Sequence, residues 1–224
     1  PAADTWSLDS MPPVPTPILR FTHVDNLDTI IRRDGIHAPN HVPDDGLTYR
    51  FCHSAEVQSA RAEVPIHLGP GGTIHDYVPF YFGYLSPMML NLKTGRVEGY
   101  SEGQEPLIYL VSSAQAIEEA RIKFVYSDGH GLATFTDWFD DLDKLDAVDW
   151  TVVNLRYWTD NINDMDRQRK KQAEFLVHRC CPWSLIQEIV VIDSTMQRCV
   201  ETIQAAFPAD QRRVVRVDRN WYYW

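Results

Sequence analysis

The sequence holds few cysteines, no long apolar run and no surplus of positive charge, and each shortage excludes something. Only four cysteines occur in 224 residues, Cys52, Cys180, Cys181 and Cys199, with no CxxC pair among them. The adjacent Cys180 and Cys181 are poorly placed to bridge to each other, so reduced thiols in a cytoplasmic compartment are the expectation. No stretch approaches the roughly 20 apolar residues of a membrane helix. The opening PAADTWSLDSMPPVPTP has neither the basic nor the apolar region of an export signal, so neither insertion nor secretion is expected. Neither GxGxxG behind a strand nor GxxxxGK[ST] occurs, which argues against Rossmann and P-loop nucleotide binding. The spacing His-x₃-His is also missing, so His23, His75, Asp76, Asp128 and His130 are not expected to hold a metal. A formal net charge of -10 argues against a generally basic nucleic-acid surface, because such a molecule repels phosphates on average.

What is present points to a packed enzyme-sized core. The chain is 44% hydrophobic and 12% aromatic, with seven Trp and ten Tyr. No Gly/Ser-rich linker divides it, so residues 18–224 are expected to form one domain behind an irregular, proline-rich arm at 1–17. The acidic average hides an asymmetry. DWFDDLDKLDAVD (137–149) holds six Asp and one Lys, whereas RQRKK (167–171) and the arginines at 212, 213, 216 and 219 are locally basic. A local groove for nucleic acid therefore stays open.

ILRFTH (18–23) reads as a strand, followed by a helix through NLDTIIRRD that Asp25 or Asn26 caps and Gly35 ends. SAEVQSARAE from Ser54 reads as a helix before Pro65, and YVPFYF behind Gly71 and Gly72 as a strand whose Pro79 suits a start, an edge or a bulge. LIYLVSS (107–113), IKFVYS (122–127), AEFLV (173–177), EIVVID (188–193) and RVVRV are further strands. Ser112 with Gln115 looks like a capping box, Ser194 like the cap of STMQRCVETIQAAF, and Trp138, Phe139, Leu142 and Leu145 like a helical stripe. Strands without regular βαβ spacing imply an α+β fold with a mixed or antiparallel sheet.

Two residues stand out chemically. Glu174 puts a carboxylate in an apolar strand just behind a basic run, where burial and cations pull its titration in opposite directions. Set against this is a Glu on the solvent face of an edge strand. His130 in YSDGHG sits past a strand end between two glycines, free to face a cleft or simply to be exposed. His23, beside a helix start, could meet an anion there. Cys180 and Cys181, next to Pro182, read as packed thiols and not as the nucleophile of a Cys-His hydrolase.

Six stretches in order resemble the DarT family of DNA ADP-ribosyltransferase toxins of bacterial toxin-antitoxin modules. They are FTHVDNL (21–27), GGTIHDYVPFYF with SPMML (71–82 and 86–90), QEPLIYLVSS (104–113), FVYSDGHG (124–131), KKQAEFLV (170–177) and NWYY (220–223). The resemblance implies an ADP-ribosyltransferase-like split mixed β-sheet with flanking helices around a cleft for NAD, which serves as ADP-ribose donor without any metal. It implies transfer of ADP-ribose to a base, most often thymidine, in single-stranded DNA, in a sequence-dependent manner. It places the catalytic glutamate on Glu174, a histidine on His130, and NAD-binding positions on Thr22, His23 and Asn26, with Tyr81 assigned to the same cleft. The family's arginine falls on Arg61, although an ungapped reading puts it on Ser59. His75, Asp76, Tyr84, Arg169 and Lys170 are then expected to support the cleft or face DNA, and a macrodomain antitoxin is the implied partner of a monomeric, cytoplasmic toxin. A transferase acting on RNA or protein, and a catalytically impaired DNA-binding relative, are the alternatives.

Overall fold

The structure, a computed structural model, describes residues 11–224, so the first ten residues of the expected arm lie outside the described residues. From there the chain enters β1 (Pro17–His23), turns into α1 (Asn26–Arg32) and runs through β2 (Gly35–His37) to α2 (Ala55–Glu63). β3 (Tyr77–Tyr81) and α3 (Pro87–Lys93) precede the central hairpin partner β4 (Leu107–Ser113), α4 (Ala114–Glu119) and β5 (Phe124–Ser127). The polar middle contributes β6 (Trp138–Phe139), α5 (Trp150–Val153) and α6 (Arg167–Lys170). β7 (Glu174–His178), β8 (Cys180–Pro182), β9 (Glu188–Val191), α7 (Ser194–Gln204) and β10 (Val214–Val217) complete it.

Eight strands form one sheet in the order β10-β9-β4-β1-β3-β7-β5-β6, while β2 and β8 pair separately. β10 runs parallel to β9 and the other pairs are antiparallel, so the sheet is mixed. The strand LIYLVSS shows why β4 is central. Its alternation sends Leu107, Tyr109 and Val111 into one core and Ile108 and Leu110 into another, so both faces are buried. Between β1 and β3 the ladder is almost open: β1 matches β4 along its whole length but meets β3 only at Leu19 opposite Tyr81. The sheet is split there, and the split positions the site.

Several local expectations are corrected. Asp25 precedes α1, but its carboxylate reaches Arg50 and makes no cap hydrogen bond; Asn26 turns its amide to Thr22 and to the Arg50 backbone. Ser113, one residue later than expected, caps α4, while Gln115 accepts from the Thr16 amide. Asp193, not Ser194, caps α7 by accepting from the Thr195 and Met196 amides. A carboxylate accepts two such bonds, where a serine hydroxyl one residue later has passed the capping position. Trp138 and Phe139 form β6 beside β5 and not a helical stripe, because Phe139 packs on Tyr126 across the strands. The run behind Gly-Gly is likewise two elements: β3 ends at Tyr81, and Ser86 then caps α3 by accepting from the Met89 amide.

Candidate active site

Glu174 opens β7 directly opposite Tyr81 of β3, and it is 3% exposed. The strand's alternation turns Phe175 and Val177 into the main core and leaves Glu174 on the other face with Leu176. A buried carboxylate needs partners, and two residues give it three hydrogen bonds. Arg61, from the last turn of α2, donates from Nη1 to Oε1 at 3.0 Å and from Nη2 to Oε2 at 2.8 Å, a two-pronged pair in which Arg61 is itself 7% exposed. The Gly131 amide donates to Oε1 at 3.2 Å. Burial alone pulls the Arg61 guanidinium toward its neutral form, but the Glu174 charge and hydrogen bonds outweigh it and hold Arg61 above its usual value. Of the two positions expected for the family's arginine, Arg61 meets Glu174 and Ser59 is exposed.

Both glycines of GHG are required by packing and not by turn geometry. A Cβ on Gly131 would lie 2.6 Å from Glu174 Oε1, and one on Gly129 would lie 2.3 Å from Arg169 Nη1. His130 between them lines the cavity and is held there from both sides. Its amide donates to the Arg169 carbonyl at 3.0 Å, and its Nδ1 accepts from the Leu132 amide at 3.3 Å. That contact leaves the ring proton on Nε2. Burial, opposed by Glu174 and reinforced by Arg61, lowers His130 below the ordinary histidine value, so the ring is neutral at pH 7.

The cavity bordered by these groups has a volume of about 390 Å³, within the range of small-molecule sites. Arg20, Thr22, Tyr49, Arg50, Phe51, His53, Gln58, Met88 and Tyr81 also border it. Of the residues expected at a cofactor, Thr22 and Tyr81 lie in the wall. His23 and Asn26 do not. His23 is buried against Asp25, 3.2 Å from Nδ1, and Glu102, 3.4 Å from Nε2. The Asn26 side chain accepts from the Arg50 amide at 2.6 Å and donates to its carbonyl at 2.7 Å, imitating one rung of a ladder. Asn26 pins the segment that carries Tyr49 to His53, and His23 is tied to it only through Asp25 and Glu102, which both pair with Arg50. Tyr81 stacks on Phe21, and burial followed by the Glu174 charge pushes its hydroxyl up to about 12.

His75 sits beside Gln58, ring nitrogen to amide oxygen at 3.2 Å, while Asp76 closes the turn behind Gly-Gly by accepting from the Thr73 amide, Asn40 and His41. Tyr84 stacks its ring on Trp221 at 5.2 Å, outside the cavity wall. The basic run is occupied by carboxylates and carbonyls. Arg169 is clamped by Asp128 and Asp166, Lys170 by Asp149 and Asp164, and Lys171 is 2% exposed with its ammonium on the Val153 and Leu155 carbonyls. Asp149 at the end of the acidic stretch pairs with this run, as do Asp128, Asp164 and Asp166. Sequence reading missed Arg20, Tyr49, Phe51 and Gln58; an arginine inside the apolar strand ILRFTH was the available signal. Among the described residues, no three His, Cys, Asp or Glu side chains are grouped to hold a metal, and no helix is long and apolar enough to cross a membrane.

Known proteins are similar to this chain in sequence and fold. The chain is similar to a DNA ADP-ribosyl transferase of Thermus aquaticus, 43% identical over 94% of this chain and 90% of the relative. Its fold matches that of Thermus sp. 2.9 DarT in complex with ADP-ribosylated ssDNA, with a TM-score of 0.88 at 40% identity over 94% of this chain and 98% of that one. The same protein in complex with NAD+ matches with a TM-score of 0.84 at 38% identity over 95% of this chain and all, 100%, of the other. The family described as ssDNA thymidine ADP-ribosyltransferase, DarT, matches residues 19–223. The split mixed sheet and the match across nearly the whole chain make this protein a member of the DarT family of DNA ADP-ribosyltransferases.

Proposed function

We propose that this chain transfers ADP-ribose from NAD to the thymine N3 of a thymidine in single-stranded DNA, with residues 18–224 acting as one catalytic domain. The observation that carries the reading is the buried Glu174 carboxylate, held by Arg61 and the Gly131 amide at the wall of a cavity of the right size. As nicotinamide departs with the electron pair of its bond to ribose, positive charge builds at the anomeric carbon. A fixed carboxylate in a water-poor site stabilises that charge without reorganising. The thymine N3 then bonds to the anomeric carbon and gives up its proton.

The proton acceptor follows from charge. Arg61 stays cationic beside Glu174, so it cannot take the proton; it instead favours the deprotonated base electrostatically. Neutral His130 carries its proton on Nε2, so it is a donor toward the cavity. Glu174 is the remaining base within the cluster, and water carries the proton away. The neighbouring Phe51, 65% exposed at the cavity rim, offers a ring on which a splayed base can stack.

As the resemblance implies, we take the chain to be the toxin of a toxin-antitoxin pair, monomeric and cytoplasmic, with a macrodomain protein as antagonist. The deciding experiment is incubation with NAD and single-stranded oligonucleotides that differ only in thymidine and guanosine content, followed by mass spectrometry. An ADP-ribose addition confined to thymidine-bearing strands is expected, and Glu174→Gln should lower its rate by about a hundredfold or more. Modification of protein or RNA in place of DNA, or undiminished transfer by Glu174→Gln, would refute the reading.

A further inference from the structure

Four arginines border the cavity, and three of them are already neutralised. Arg33 donates to Asp45 at 2.7 Å, Arg50 reaches Asp25 at 3.0 Å and also Glu102, and Arg61 holds Glu174. Arg20 has no carboxylate partner among the described residues. Its Nη1 donates to the Pro79 carbonyl at 2.9 Å, so the side chain reaches from β1 to β3 across the gap where those strands share a single paired position. The other edge of the guanidinium, Nε and Nη2, makes no hydrogen bond, and Nε is buried. Beside it His53 is lowered by burial and then by the Arg20 charge, so the ring adds no second cation.

A fixed guanidinium with one edge unused and no counter-charge suits a planar or tetrahedral oxyanion. Both substrates of the proposed reaction carry phosphate. The start of α1 is a poor alternative for an anion, because Asp25 and Glu102 already crowd it with negative charge. We propose that Arg20 forms a phosphate subsite of the cavity, gripping one substrate's phosphate oxygen through Nη2, the terminal guanidinium nitrogen that Pro79 leaves unused; this rests on the transferase reading above. The phosphate belongs either to the NAD pyrophosphate or to a phosphodiester of the strand, and binding measurements separate the two.

The test uses Arg20→Gln and Arg20→Lys in the full chain. Affinity for NAD is measured by calorimetry without DNA, and affinity for a thymidine-bearing oligonucleotide by fluorescence anisotropy without NAD, each over a range of salt. Arg20→Gln should weaken one ligand by about ten- to a hundredfold, as loss of a charge-assisted hydrogen bond does. Arg20→Lys keeps the charge but not the fork, and should recover part of the loss. Weakened NAD with unchanged binding of nicotinamide riboside, which has no phosphate, assigns the pyrophosphate. A weakened oligonucleotide whose salt slope falls by about one assigns the phosphodiester. Unchanged affinity for both ligands overturns the proposal, and so does an equal loss for nicotinamide riboside, which would mean that Arg20 only shapes the cleft. Because the readout is binding, a chain that holds NAD through Arg20 yet modifies no oligonucleotide would refute the transferase reading and leave the subsite standing.

Discussion

Arg61 and Glu174 lie 113 positions apart in the chain and meet in a buried two-pronged contact, so removing either one leaves the other charged and unpaired. Such a loss costs about 3–5 kcal/mol, whereas replacing both partners with apolar residues of similar volume is often neutral or stabilising. Arg61→Ala alone is therefore a poor test of catalysis, because lost activity and lost fold would coincide. The double substitution Arg61→Met with Glu174→Leu separates them. Its urea midpoint should equal or exceed that of the original chain while transfer to the oligonucleotide vanishes. A double variant that unfolds as readily as Arg61→Ala would show that the pair contributes specific stability, and one that still transfers ADP-ribose would remove both residues from the chemistry.

At the scale of elements, the junction between α6 and β7 carries the site. Arg169 holds the 128–136 turn through Asp128, and its carbonyl takes the His130 amide, so one residue of α6 fixes the loop that delivers Gly131 to Glu174. Two residues on, Lys171 ties the end of α5 to the same junction by donating to the Val153 and Leu155 carbonyls. Burial brings this lysine down to about 7 from an ordinary 10.5. Between those values the unfolded chain keeps a proton that the folded chain has released, so this group makes stability rise with pH across the window and leaves it level below. Comparing denaturant unfolding of the original chain with Lys171→Met from pH 6 to 10 checks it. The original chain should gain on the variant above about pH 7, by at most about 1.4 kcal/mol per pH unit. Parallel stability curves would show that Lys171 keeps an ordinary titration.

At the scale of the molecule, the C-terminal NWYYW closes one side of the sheet. Tyr222 is fully buried between β4 and β9, donating to the Leu107 and Val190 carbonyls at 2.9 and 3.1 Å, and Tyr223 accepts from Trp158 at 2.7 Å and bonds the Leu85 carbonyl. The end of the chain thereby links the central strands to the turn before α3 and to the segment behind α5. Tyr222→Ala should cost roughly 3–5 kcal/mol and lower the melting temperature by about 10 °C, at 2–4 °C per kcal/mol for a chain of this length. Calorimetry showing an unchanged melting temperature would mean that the C-terminus is an appendage and not part of the core.

Short-range pattern was enough to reveal seven of the eight strands of the split sheet, all but β6, the helix that follows Ser54, and Glu174 and His130 as candidates, because alternation, turn residues and a charge in an apolar strand are local signals. The capping errors at α4 and α7 were local too, each off by one residue where two adjacent capping residues, Ser112 and Ser113 or Asp193 and Ser194, compete for the same amides. Tertiary structure alone decided which charges are spent on one another. The basic RQRKK run faces aspartates from 128, 149, 164 and 166, and among the described residues only Arg20 of the cavity arginines is left without a carboxylate. Charge pairing depends on which distant segments the sheet brings within a few ångströms, and no periodicity along the chain encodes that distance. The sequence by itself determined the family, most of the strands and the catalytic carboxylate candidate; the folded chain determined that Arg61 meets Glu174, that Asn26 holds the segment of the wall from Tyr49 to His53, and that Arg20 borders the cavity with no carboxylate partner among the described residues.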